Sequence, residues 1–207
     1  MGQSVSAVMK AAMLQNEEAE KMANDALTAL HDVAKLQNQL FRSQLANNDA
    51  RKIPIKKTIF EDTIIRCSVD PDNRDEIAKE VKNMYSQFAS EDAAEAIGSV
   101  LSINLKNMFA NAAGNSNQYT NYFITMGSLP DELFRVDMMV YTYAFTSDAL
   151  SRVTNNVVAI TVVVSSVDKA SLDKSAIGAA VQYCYGNAPE EVQKKIFDKL
   201  MAVRDSN

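Results

Sequence analysis

The chain has 207 residues, of which 47% are hydrophobic and 23% charged, a composition typical of a globular protein and not of a disordered one. The formal net charge of −5 provides no basic surface for nucleic acid, so we expect no nucleic-acid partner. One histidine and two cysteines without a CxxC pair argue against a disulfide scaffold and against the common metal and histidine-based catalytic sites. We therefore expect a protein that is not an enzyme and needs no cofactor or metal.

The N-terminus carries the pattern Met-Gly-x-x-x-Ser, which fits N-myristoylation at Gly2. No apolar run long enough for a secretory signal follows Met1, and no segment reaches the 18 or so apolar residues of a membrane span. A single acyl chain anchors a protein only marginally without a second signal, and no cluster of lysines follows Gly2. We expect an intracellular protein, either cytoplasmic or peripheral on a membrane.

A long N-terminal helix is predicted for residues 1–50, because residues 4–48 contain neither proline nor glycine and are rich in strong helix formers. At 1.5 Å per residue this helix would be about 65 Å long, whereas a domain of this size is about 35–40 Å across. Such a helix must break, or project and find a partner. Apolar residues recur along it at alternating spacings of four and three, which is typical of a helix–helix seam. A second apolar row widens this stripe and includes Leu36, Phe41 and Leu45. The predicted assembly seam consists of Val5, Met9, Ala12, Ala23, Leu30, Val33 and Leu40.

Residues 51–207 are expected to form a single α+β domain, with a mostly antiparallel sheet of about four strands and helix pairs packed on it. The first strand is predicted from residue 53 to residue 69, where apolar residues alternate with polar ones. Three further strands are predicted at 119–126, 133–146 and 157–167. The last of these is apolar on both faces, which favours a central position in the sheet.

Four helices are predicted in this domain from their start signals and apolar spacing. The Asp70-Pro71 pair and Ser90 are candidate helix starts that precede the first two. The last two are predicted at about 168–185 and from residue 189 to about residue 204, with Gly186 between them.

The two cysteines have more than one interpretation. Cys67 lies on the first predicted strand and Cys184 near the end of the penultimate helix. Buried free thiols are one reading of such isolated cysteines, and an intermolecular disulfide within an assembly is another.

Two functions follow from these observations. The first is a non-enzymatic structural protein that associates with itself into a homo-oligomer or a filament- or crystal-like assembly. The second is a membrane-active protein, either an N-myristoylated peripheral adaptor or a pore former. The order of elements between about residues 70 and 185 is similar to that of cytolytic toxins of the delta-endotoxin and volvatoxin kind. That resemblance implies helices that move aside and strands that engage the membrane.

Overall fold

The structure is a computed structural model that describes residues 17–46, 53–67, 74–110, 116–127, 132–144 and 156–206. Within these ranges it contains five α-helices and one four-stranded sheet, so the predicted α+β class is confirmed. The helices are α1 (Glu17–Ala46), α2 (Arg74–Tyr85), α3 (Glu91–Ala110), α4 (Lys174–Tyr185) and α5 (Glu190–Asp205). The strands are β1 (Ile55–Cys67), β2 (Ser116–Met126), β3 (Leu133–Ala144) and β4 (Asn156–Val167).

The sheet has the strand order β1-β4-β3-β2, and all three pairings are antiparallel. β4 is an interior strand, as its apolar character on both faces predicts, and every one of its residues except Ser166 is buried. β1 and β2 form the two edges of the sheet, and the described elements between them in the chain are α2, a 3-10 turn at Ser86–Phe88 and α3.

One face of the sheet, which we call the four-helix face, packs against α2, α3, α4 and α5. Alternate residues of β3 and β4 point toward it, including Val136, Val140, Ile160 and Val162. Fully buried residues of the helices, such as Leu105, complete this larger part of the core.

The opposite face, which we call the α1 face, packs against the first helix. The structure describes α1 from Glu17 to Ala46, within the predicted span of residues 4–48, and residues 4–16 lie outside the described ranges. Met139 and Val163 point toward α1 from the sheet, together with the smaller Ala159. From Leu30 to Leu45 the helix is therefore part of the core of the α+β domain.

The penultimate helix begins later than predicted. Residues Lys169–Ser171 form a short 3-10 turn, and α4 begins only at Lys174. The reason is local, because the Asp173 carboxylate accepts a hydrogen bond of 2.6 Å from the backbone N–H of Ala176 and so caps the helix there.

The two edges of the sheet differ in whether another element covers them. The Sγ of Cys184 donates to the carbonyl oxygen of Tyr122 at 3.0 Å, and the hydroxyl of Tyr185 donates to the carbonyl oxygen of Ile124 at 2.7 Å. Because both donors come from α4 and both acceptors lie on β2, α4 covers the β2 edge. On β1, by contrast, the residues from Lys56 to Ile59 are exposed.

Candidate functional site

The first helix places two different apolar surfaces on its two sides. The inner one faces the sheet and is buried: Ala34 and Phe41 are fully enclosed, and Leu30 and Leu45 nearly so. These positions follow the helical repeat, so they share one side of the helix and contact Met139, Tyr141 and Val157.

The outer surface consists of Val33, Leu36 and Leu40, which we call the outer stripe. Their exposed fractions are 38%, 61% and 50%. The spacings of three and four place them on one line along the helix, about 120° around its axis from the inner surface. Among the described residues only three other large hydrophobic side chains are exposed, and these are scattered over β1, α3 and α4. Single exposed apolar residues need no explanation, but three of them in a regular row along one helix are unusual.

Hydrogen bonds between α1 and the sheet fix which side of the helix faces outward. The Asn38 side-chain amide donates to the hydroxyl of Thr63 on β1 at 2.8 Å, and that hydroxyl lies 3.2 Å from the hydroxyl of Thr161 on β4. One turn further on, Arg42 pairs with Glu61 of β1. These polar contacts hold one side of α1 against β1, so the outer stripe cannot rotate toward the sheet without breaking them.

Few charges border the outer stripe. Asp32 and Lys35 pair with each other at 3.7 Å and are both well exposed. Gln37, Gln39, Ser43 and Gln44 are further neighbours of the stripe around the helix, and all of them are uncharged. A second apolar surface can therefore approach the stripe with little desolvation of charge.

The predicted assembly seam divides between these two surfaces. Leu30 is buried against the sheet of its own chain, whereas Val33 and Leu40 belong to the outer stripe. Ala23 lies within α1, and Val5, Met9 and Ala12 lie outside the described residues. Leu36 is the most exposed member of the stripe and is missing from the predicted seam. The signal for it was present, because Leu36 lies three positions after Val33 and four before Leu40, whereas the predicted seam passes through the polar Gln37 between them.

A buried ion pair lies on the α1 face and was not predicted. The Nε of Arg135 donates to the Asp137 carboxylate at 2.7 Å, and neither side chain is exposed. Arg135 also donates to the backbone carbonyl of Ile53 at 2.7 Å, and its guanidinium lies 6.0 Å from the ring centre of Tyr122. Both residues are two apart on β3 and so share a face. Their contacts fasten the start of the β1 segment to the middle of the sheet.

The two cysteines are free thiols at opposite edges of the sheet, Cys67 on β1 and Cys184 against β2. Three strand spacings separate the edges, about 14 Å, which is too far for a bond between them. Burial raises the pKa of Cys67 and raises the pKa of Cys184 to about 12. Since only Cys67 is partly exposed, it is the better placed of the two for the predicted intermolecular disulfide.

A hollow of about 420 Å³ lies between α3 and the turn that joins α4 to α5. Its walls are mainly apolar and include Val100 and Ile103, and Tyr185 forms part of its lining. At one end the Asp92 carboxylate accepts hydrogen bonds from Lys195 at 2.9 Å and from Lys199 at 3.0 Å. These two bonds lower the pKa of Asp92 and tie α3 to α5.

The remaining sequence predictions concern a metal, a lipid anchor and a membrane. His31 lies exposed on α1, and within the described ranges no three histidine, cysteine or acidic residues are grouped as metal ligands would be. Gly2 lies outside these ranges, so its acylation stays a prediction. None of the described helices combines the length and the apolarity that crossing a membrane requires.

Comparison with protein-family models gave no match, and comparison with curated protein sequences gave none either.

Proposed function

We propose that the protein is a non-enzymatic structural protein that associates with itself, and that the outer stripe of α1 is its contact surface. The observation that carries this proposal is the row formed by Val33, Leu36 and Leu40, which continues the apolar side of a helix whose inner surface is already buried. Exposed apolar rows of this kind are uncommon on monomers because water disfavours them.

A second copy of the chain is the partner that fits this row. When two helices with the same seam pack antiparallel about a two-fold axis, each seam meets itself. Leu36 then lies near the axis, and Val33 of one copy lies near Leu40 of the other. The uncharged neighbours Gln37 and Gln44 would flank this contact, so that two copies would bring few like charges together there.

The stripe on its own supports only a weak contact. Full burial of an exposed Leu or Val contributes about 1.5–3 kcal/mol, and these side chains are already about half buried. Six of them from two copies contribute about 6 kcal/mol in all, whereas association costs about 4–15 kcal/mol in lost freedom of motion. We therefore expect reversible association that rises with concentration, unless further contacts add to it.

The test compares aspartate substitutions on the stripe with one on another exposed apolar residue. Leu36→Asp and Leu40→Asp place a charge at the contact, so the average mass in solution at high micromolar concentration should fall toward that of the monomer. Ile103→Asp is the matched control, because Ile103 is 56% exposed on α3, on the opposite face of the sheet. Light scattering at two concentrations measures the mass. A wild-type protein that stays monomeric throughout would contradict the proposal.

The membrane-active alternative gives a different result on the same variants. If the outer stripe inserts into lipid, the wild-type protein should release dye from liposomes at micromolar concentration and Leu36→Asp should release less. A structural protein should release no dye, either as the wild type or as Leu36→Asp. If the wild-type protein releases dye and its mass in solution does not rise with concentration, the membrane-active alternative replaces the proposal.

A further inference from the structure

The hollow between α3 and the turn that joins α4 to α5 has the size of a small-molecule site. Its volume is about 420 Å³, and ligand pockets usually measure about 300–1,000 Å³. An apolar cavity of about 150 Å³ holds a benzene ring, so this hollow has room for a ring and a short chain. One wall is a single side of α3, because Asp92, Ala96, Ser99 and Ile103 follow one another at spacings of four, three and four.

Charged and apolar groups lie at opposite ends of this wall. Glu91, Asp92 and Glu95 lie near the start of α3, whereas Val100 and Ile103 lie further along it. The helix rises by about 12 Å from residue 95 to residue 103, at about 1.5 Å per residue. An elongated molecule with a charged end and an apolar end therefore matches the wall. The turn and the start of α5 add further apolar groups to the lining, namely Ala188, Pro189 and Val192.

The charged side chains that line the hollow are all acidic among the described residues. Glu95 pairs with Lys82 of α2, and Asp92 accepts hydrogen bonds from Lys195 and Lys199 of α5. None of these lysines lines the hollow, so carboxylates are the charges nearest to a bound molecule. The dipole of α3 offsets about half a unit charge and acts only on the first turn of the helix. The hollow therefore favours a positive group over a negative one.

We propose that this hollow binds a small apolar molecule that carries a positive charge, of the class of alkyl and arylalkyl amines. The ammonium group lies near Glu91 and Glu95, and the apolar part covers Val100 and Ile103. Burial of the apolar part supplies most of the binding free energy, and the carboxylates select the sign of the charge. The proposal does not depend on self-association, because the hollow lies on the four-helix face and the outer stripe lies on α1.

Three probes that differ only in their terminal group test the sign of the charge. Phenylbutylammonium, phenylbutanol and phenylpentanoate share one ring and one chain, and their ends are positive, neutral and negative. We expect the ammonium probe to bind about fivefold more tightly than the alcohol, and the carboxylate to bind most weakly. Saturation-transfer NMR of the probes measures the three dissociation constants at low micromolar protein concentration. Equal affinities, or tightest binding of the carboxylate, would overturn the proposal.

Removal of two carboxylates tests which groups select the charge. Glu91→Gln/Glu95→Gln keeps the shape of the hollow, and it should weaken binding of the ammonium probe about fivefold while changing that of the alcohol less than about twofold. Asp198→Asn is the matched control, because Asp198 is an exposed carboxylate of α5 that does not line the hollow. Equal effects of the double variant and of Asp198→Asn on the ammonium probe would contradict the assignment.

A ring placed in the hollow tests the location of the site. Ala96→Phe should abolish binding of all three probes, because the new side chain occupies their place. Ser99→Phe, at an exposed position of the same wall, is a second variant in case a ring at residue 96 disturbs the fold. Circular dichroism shows whether each variant is folded. Binding that survives in a folded ring variant would overturn the proposal, and it would leave the outer stripe untouched, since that contact is measured by mass.

Discussion

The helices on the two faces of the sheet differ in how much of their apolar surface is buried. On the four-helix face, α2 to α5 enclose almost all of their described large apolar side chains, and the exceptions among these, Ile103 and Tyr183, lie on different helices. On the α1 face, a single helix buries one apolar row and exposes another, which continues around its axis through Val33, Leu36 and Leu40. Within the described residues, the helices of one face bury nearly all of their large apolar side chains, whereas the helix of the other leaves three in a row exposed. Four experiments test this difference between the buried and the exposed apolar surfaces.

The largest effect is expected at the buried ion pair. Asp137→Ala leaves the Arg135 guanidinium buried without its carboxylate partner. We expect this to lower the free energy of unfolding by about 3–5 kcal/mol. Urea denaturation followed by circular dichroism measures this change. The double variant Arg135→Met/Asp137→Leu removes both charges and should be closer to the wild type. A loss below about 1 kcal/mol for Asp137→Ala would mean that the pair is not enclosed.

Two neighbouring residues of α1 separate folding from association. Phe41→Ala removes a fully buried ring and should cost about 3–5 kcal/mol of stability. Leu40→Ala, one position away on the outer stripe, should change monomer stability by no more than about 0.5 kcal/mol and should weaken self-association. Urea midpoints at low protein concentration and mass at high concentration measure the two effects. Equal losses of stability would show that the helix is rotated from the orientation described.

Thiol reactivity compares the two edges of the sheet. At pH 8 a thiol with a pKa of about 12 is almost wholly protonated, so Cys184 should react with a disulfide reagent only after denaturation. Cys67 is partly exposed and should react first, although burial raises its pKa as well. Cys67→Ser and Cys184→Ser assign the two reactions. Rapid labelling of native Cys184 would show that α4 does not hold its place over β2.

The smallest effect is expected at Asp92, which lies on α3 at the four-helix face. The hydrogen bonds from Lys195 and Lys199 lower the pKa of Asp92 in the folded protein, so its contribution to stability is present at neutral pH. That contribution is lost as the pH falls below the ordinary carboxyl value of about 3.9 and through the lower folded value. Asp92→Asn should therefore be slightly less stable than the wild type at pH 7, with the difference shrinking at pH 3. Urea midpoints at both pH values measure it, and a difference that grows on acidification would contradict the assignment.

The sequence predicted most of the architecture because the strong signals are local. The interior position of β4 follows from an apolar run on both faces, and the four strands follow from their alternation and the turn residues between them. The outer stripe was only partly predicted, because two apolar rows overlap on α1 and either could face the sheet. A contact with Thr63, 25 positions from Asn38 along the chain, decides between them. The ion pair was missed although Arg135 and Asp137 have the spacing of a shared strand face.

The position of β1 has a consequence for how the chain is made. Thr63 of β1 and its partner Thr161 of β4 are 98 positions apart, so α1 and β1 leave the ribosome long before the strand that they pack against exists. Until β4 is synthesised, β1 is an unpaired segment of high β propensity in a crowded cell. We expect its lysines and carboxylates to oppose pairing with other nascent chains during that time. Docking of β1 closes the longest loop in the sheet, and we expect it to be the slow step of folding.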